Sequence, residues 1–159
     1  LLFREVPGVG KRIQAMIVEE TYFHGHSITP FLKTQRDSHN LRYLLGIVNS
    51  KLLSWYGGKT LPNFGKEIFP KMNPQDVLAI PIRVINFDDP ADVKRHDRMV
   101  ALVQRMLDLH KQLAAALLPQ EKDLLDRQIA ATDAQIDRLV YDLYDLTEEE
   151  IRLVEGKEG

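Results

Sequence analysis

Not one of the 159 residues is a cysteine, which excludes a disulfide framework and any thiolate metal site. Long apolar runs are missing too. None approaches the ~18 residues that a membrane-spanning helix needs, and the first residues lack the charged-then-apolar pattern of a secretory signal. No membrane partner and a cytoplasmic location are therefore expected. An initiator methionine is also missing: the chain begins Leu1-Leu2-Phe3-Arg4-Glu5-Val6, directly in a strand-like pattern, and is expected to be the C-terminal piece of a longer polypeptide.

Excess charge of one sign is absent overall, since the net charge is only −2, but the average conceals an asymmetry. Residues 1–87 hold 11 Lys+Arg against 6 Asp+Glu, whereas residues 88–159 hold 10 against 17. The first part can face a polyanion; the second would be repelled by one. With 44% hydrophobic and 28% charged residues, the chain suffices for one globular core with an appendage, and is too short for two full-sized domains.

The organising stretch is Asn40 to Gly58. Its residues Leu41, Leu44, Leu45, Val48, Leu52 and Trp55 recur at steps of three and four, the stripe of a helix buried on one side. Ser38 or Asn40 can cap its start and Gly57 can close its end. Gly46 costs about 1 kcal/mol relative to alanine there, and Asn49-Ser50 puts an amide and a hydroxyl mid-helix, so something is expected to pack close to this helix or bond to it. Before it, Leu1–Val6 and Ile13–Glu19 read as strands around a Pro7-Gly8-Val9-Gly10 turn, and Thr21–Phe31 as an exposed strand–turn–strand. After it, Lys59–Pro74 is a basic loop with Phe64 and Phe69 as anchors, and Val77–Val84 reads as a buried strand that Pro81 confines to an edge or bulge.

Phe87-Asp88-Asp89-Pro90 marks a boundary. Beyond it, Met99, Leu102, Met106, Leu109 and Leu113, then Leu125, Ile129, Thr132, Ile136, Leu139 and Leu143, follow steps of three and four in two long runs joined near Leu118-Pro119-Gln120. So short a joint makes them an antiparallel hairpin, with Met99 and Met106 as gap-filling core. Thr147 caps a last short helix, Glu148–Glu155. The fold class expected is α+β. Residues 1–87 form a small mixed α/β unit around one central helix, and residues 88–159 a helical hairpin with a short C-terminal helix.

Two stretches carry a resemblance. L-L-G-I-V-N-S-K-L-L-S-W-Y, from Leu44 to Tyr56, resembles the signature helix of target recognition domains in restriction-modification proteins, where an LLGILNSKL-like segment is typical. I-D-R-L-V-Y-D-L-Y-D-L-T-E-E-E-I-R-L-V-E, from Ile136 to Glu155, resembles the IDxLVYxLYGLTxEEIxxIE ending of such enzymes, with Asp145 standing where a glycine is customary. The family so indicated is the TaqI-like C-terminal specificity domain of adenine-specific DNA methyltransferases and fused type II restriction-modification enzymes, related to type I specificity subunits. The resemblance implies a partner in double-stranded DNA and a methyltransferase domain, joined in fused enzymes by a nuclease domain, on the same polypeptide. It implies S-adenosylmethionine for that catalytic domain and no cofactor for this piece.

Catalytic chemistry finds little footing here. There is no N-P-P-Y/F tetrapeptide to hold a flipped adenine and no D…E-x-K nuclease cluster, since Gly65-Lys66-Glu67 reverses the order. Gly10-Lys11 and Gly58-Lys59-Thr60 fail as phosphate loops because Glu5 and Leu53 occupy the position of the first glycine. His24-Gly25-His26 is short of ligands for a metal. No catalytic and no metal-binding residues are assigned. The DNA-contacting residues expected are Lys11, Arg12, His24, His26, Lys33, Arg36, Lys59, Lys66 and Lys71, on one face. An alternative of another class is a helical protein-interaction or oligomerisation module without DNA binding, for which the heptad pattern speaks.

Overall fold

In the computed structural model, which describes residues 1–21, 23–32, 39–66 and 68–156, the organising stretch is two helices rather than one. Helix α1 runs Leu41–Val48 and α2 runs Lys51–Thr60. Asn40 caps α1, its Oδ1 accepting from the Arg42 N–H at 2.8 Å; Ser38 lies outside the described residues. The break falls at Asn49–Ser50. The Ser50 hydroxyl accepts from the Leu53 N–H at 3.2 Å and so starts a second helix. This re-phases the stripe: Leu52 and Leu53 are buried, but Trp55 turns partly outward. Gly57 does not close the helix. It sits inside α2, where an added Cβ would lie 3.1 Å from the Phe64 ring.

Three short strands precede the helices: β1 (Leu2–Arg4), β2 (Ala15–Met16) and β3 (Ile28–Pro30). They form an antiparallel sheet in the order β2-β1-β3, with Phe3 opposite both Ala15 and Thr29. The sheet is tied to the α1–α2 junction by side chains. Asn49 Oδ1 accepts from the Ala15 N–H at 2.7 Å and its Nδ2 donates to the Ala15 carbonyl at 2.9 Å. The Ser54 hydroxyl accepts from the Ile13 N–H at 3.1 Å and donates to the Ser50 carbonyl at 2.9 Å.

The strand expected at Val77–Val84 is not formed. Helix α3 (Pro74–Leu78) starts there, because Asp76 reaches back to the Asn73 N–H at 3.0 Å and Pro74 suits a first helical position. The extended segment that follows is fixed by tyrosines instead of a ladder. Tyr43 Oη donates to the Arg83 carbonyl at 2.7 Å, Tyr144 Oη donates to the Pro81 carbonyl at 2.6 Å, and the Arg83 N–H donates to Tyr144 Oη at 3.1 Å. Asp92 is buried beneath this segment. The Asn86 N–H and the Arg95 guanidinium hold its carboxyl down at about 2.

Helices α4 (Pro90–Ala115) and α5 (Pro119–Leu143) form the expected hairpin, and α6 (Glu148–Val154) closes the described chain. The heptad positions point inward: Met99, Leu102, Leu109, Leu125, Thr132, Ile136, Leu139 and Leu143 are buried. Gly46 is where α4 crosses α1, since an added Cβ would strike the Met99 sulfur and lie 2.9 Å from a Val103 methyl. One apolar cluster therefore runs through both halves of the chain, from Phe3 and Ile13 through Ile47, Leu53 and Phe64 to Met99, Val140 and Ile151.

Thr147 caps α6, its hydroxyl accepting from the Glu150 N–H at 3.3 Å while Glu150 accepts from the Thr147 N–H at 2.8 Å. The turn before it runs through Asp145 at φ 53°, a left-handed conformation that favours glycine. Asp145→Gly is expected to stabilise the fold by about 1 kcal/mol, because relief of the Cβ clash outweighs the added freedom of the unfolded chain. Urea denaturation checks this; a lower midpoint would refute it.

Candidate nucleic-acid interface

Chain direction in the sheet gathers three loops at one end. The loop after β1 enters the turn Val9–Lys11, where Gly10 and Lys11 both take positive φ, at 68° and 56°. The loop before β3 returns to the same end, since the Glu5 N–H donates to the Ser27 carbonyl at 2.8 Å. The basic loop after α2 arrives there as well, its Met72 N–H donating to the Glu5 carbonyl at 2.7 Å. These three backbone segments meet around Glu5; two of them carry Lys11, Arg12, Lys66 and Lys71, and the third carries His24 and His26.

Lys11 Nζ donates to the Lys66 carbonyl at 3.3 Å, which places Lys11 and Lys66 side by side. Lys66 Nζ donates to Asn63 Oδ1 at 3.1 Å, and Lys71 pairs with Glu5 at 3.1 Å on an exposed surface where such a pair contributes little. Lys59 stands exposed in the last turn of α2. His24 and His26 are exposed on the loop before β3, with His24 Nδ1 3.2 Å from the Gly25 carbonyl. Lys33 and Arg36 lie outside the described residues.

Arg12 behaves differently from its neighbours. Its guanidinium donates to the Asn49 carbonyl at 2.7 Å and lies 3.5 Å from Asp133 and 4.0 Å from Asp137, so it ties the Lys11 turn to the α1–α2 junction and to α5. Asp137 is the hub of that tie. One of its oxygens accepts from the Lys51 N–H at 2.8 Å, at the positive end of α2, and the other lies 3.3 Å from Lys51 Nζ. Burial nevertheless pushes its carboxyl above the ordinary value near 3.8, with the Lys51 N–H and Arg12 opposing that shift.

Sequence reasoning misplaced two aromatic residues on this face. Phe69, expected to anchor the loop in the core, is 83% exposed with φ 54°, while Phe64 alone is buried. Trp55, expected in the buried stripe, borders a groove that also holds Lys11 and Lys59. The signal that could have found Trp55 is its spacing of four from both Lys51 and Lys59. Among the described residues no three His, Asp or Glu side chains gather as metal ligands, and no helix is long and apolar enough to cross a membrane.

The family model of the TaqI-like C-terminal specificity domain matches residues 2–82, just over half of the chain. The chain belongs to that family. The matched residues of this specificity domain contain the whole sheet, both helices of the organising stretch and all three loops. The type II restriction enzyme and methyltransferase RM.Eco57I of Escherichia coli is 27% identical over 108 residues, 68% of this chain and 11% of that protein. The chain thus spans about a tenth of the length of the curated relative it matches. No solved structure matches it.

Proposed function

We propose that this chain performs sequence-specific recognition of double-stranded DNA as the specificity domain of a restriction-modification protein. Its place is beside a methyltransferase domain of the same polypeptide that takes S-adenosylmethionine and methylates adenine, and that in a fused enzyme is coupled to cleavage. The name of the Escherichia coli relative, a restriction enzyme and methyltransferase in one, supports that wider setting. The observation that carries the reading is the convergence of Lys11, Lys66, Lys71 and the histidine-bearing loop at one end of the sheet, within the residues that define the family. Lysines there neutralise phosphates, and loops projecting from a fixed sheet reach base edges. Arg12, held by Asn49 and Asp133, positions the Lys11 turn and leaves the phosphates to its neighbours.

The test is fluorescence anisotropy of the chain against a labelled mixed-sequence duplex at low and near-physiological salt. Affinity that falls steeply with salt supports phosphate neutralisation. Reversing Lys59, Lys66 and Lys71 to glutamate is expected to weaken binding at least about tenfold and to flatten the log–log salt slope by about three. Unchanged affinity would remove the basic loop from the interface. The protein-interaction reading retains one observation, the exposed Leu117, Leu118 and Leu124 at the hairpin tip, since the heptad stripes themselves are largely used within the chain.

A further inference from the structure

Lys51, Trp55 and Lys59 recur at every fourth residue of α2, which sets them on one stripe about 6 Å apart. Facing that stripe are the Gly10-Lys11 turn and Gly65. Together with Arg12, Ser54, Gly58 and Val154, these residues line a groove of about 440 Å³. Trp55 is the chain's sole tryptophan and is 38% exposed there. Lys51 is turned to Asp137, while Lys11 and Lys59 line the same groove.

Gly58 gives the groove its meaning. A glycine inside a helix lowers helix stability, so it calls for a reason. Its neighbour Gly57 has one, being pressed against Phe64. Gly58 has none inside the fold: a Cβ built on it meets no atom within 4 Å. What the missing side chain does is leave the groove wall bare beside Trp55, where a ligand's backbone can approach closely.

We propose that this groove seats one nucleotide unit of the DNA strand. Lys11 and Lys59 pair with its flanking phosphates, the indole of Trp55 packs on its deoxyribose, and Gly58 gives them room. The inference rests on the DNA-recognition reading and names the side chains that serve it.

The test uses the whole chain and its single tryptophan. A mixed-sequence duplex carrying a fluorophore remote from tryptophan in wavelength is titrated, with anisotropy and Trp55 emission read together, for the wild type, Gly58→Ala and Trp55→Ala. The emission should change in step with anisotropy. Gly58→Ala should melt at a higher temperature yet bind duplex about tenfold more weakly, and Trp55→Ala should lose a similar factor. Because Gly58→Ala favours the helix, weaker binding by that variant is not a folding defect. Binding with unchanged Trp55 emission and undiminished Gly58→Ala affinity would overturn this inference and leave DNA recognition standing. No binding of any duplex at low salt would overturn both.

Discussion

Replacing Gly46 by leucine is expected to destabilise the chain by about 3 kcal/mol, the upper part of the range for overpacking a closed core. The added side chain meets packed atoms from its first carbon onward. At position 46 the first carbon alone would strike the Met99 sulfur and stand 2.9 Å from a Val103 methyl, and both residues are buried almost completely. Relief would require α4 to move off α1, which would open the cluster joining the two halves of the chain. Gly46→Ala should cost less, about 1 kcal/mol, because the better helix propensity of alanine offsets part of the clash. Met99→Ala combined with Gly46→Ala should recover more stability than the separate effects add up to, the sign of direct contact in a double-mutant cycle. Urea denaturation measures all of these. A Gly46→Leu chain as stable as the wild type would show that α4 does not press on α1 as described.

Truncation of Asp137 is the second large effect. Asp137→Ala removes the acceptor of the Lys51 N–H and the anion between Lys51 and Arg12, so a loss of about 2–3 kcal/mol is expected. The figure sits below that for a fully enclosed ion pair because both cations are partly open to solvent. Asp137→Asn keeps an acceptor for the Lys51 N–H and should lose about 1 kcal/mol or less. The pH dependence separates the two roles. Burial raises the carboxyl of Asp137 in the folded chain. Its contribution is therefore fully present below the unfolded value near 3.8 and declines as pH rises through the higher folded value. In Asp137→Asn that decline disappears, so the gap between wild type and variant should narrow from acid toward neutral pH. A gap that widened instead would mean that the charged form is the one the fold favours.

The helical hairpin was legible in the sequence because its steps of three and four continue without interruption from Met99 to Leu143, broken only at Pro119. The cap at Thr147 and the awkward turn at Asp145 were legible for a similar reason, each being decided by residues within a few positions. The break at Asn49–Ser50 was not. An amide and a hydroxyl in a helical stripe can point to solvent, cap a new helix or bond to a neighbour, and the choice was made by Ala15, more than thirty residues away. That break also set Trp55 at the groove, which is why a continuous stripe placed it in the core. At Val77–Val84 the branched residues argued for a strand, but the local start signal of Asn73, Pro74 and Asp76 prevailed, and two tyrosine hydroxyls fixed the rest. Of the candidate interface, the lysines were legible by charge and were expected on one face. Which loops bring Lys11, Lys66 and Lys71 to one end of the sheet was not legible, because that depends on strand direction and on the hydrogen bonds of Glu5.

The side chains of Asn49 and Ser54 also decide what the sheet can become. They occupy the outward N–H and C=O of Ala15 and the N–H of Ile13, groups that at the border of a sheet would otherwise invite a strand from a second molecule. An amide standing in for a neighbouring strand closes that border without adding one. The loops at the sheet's end can then change length and composition with no fourth strand able to join along β2 and no route there to runaway assembly.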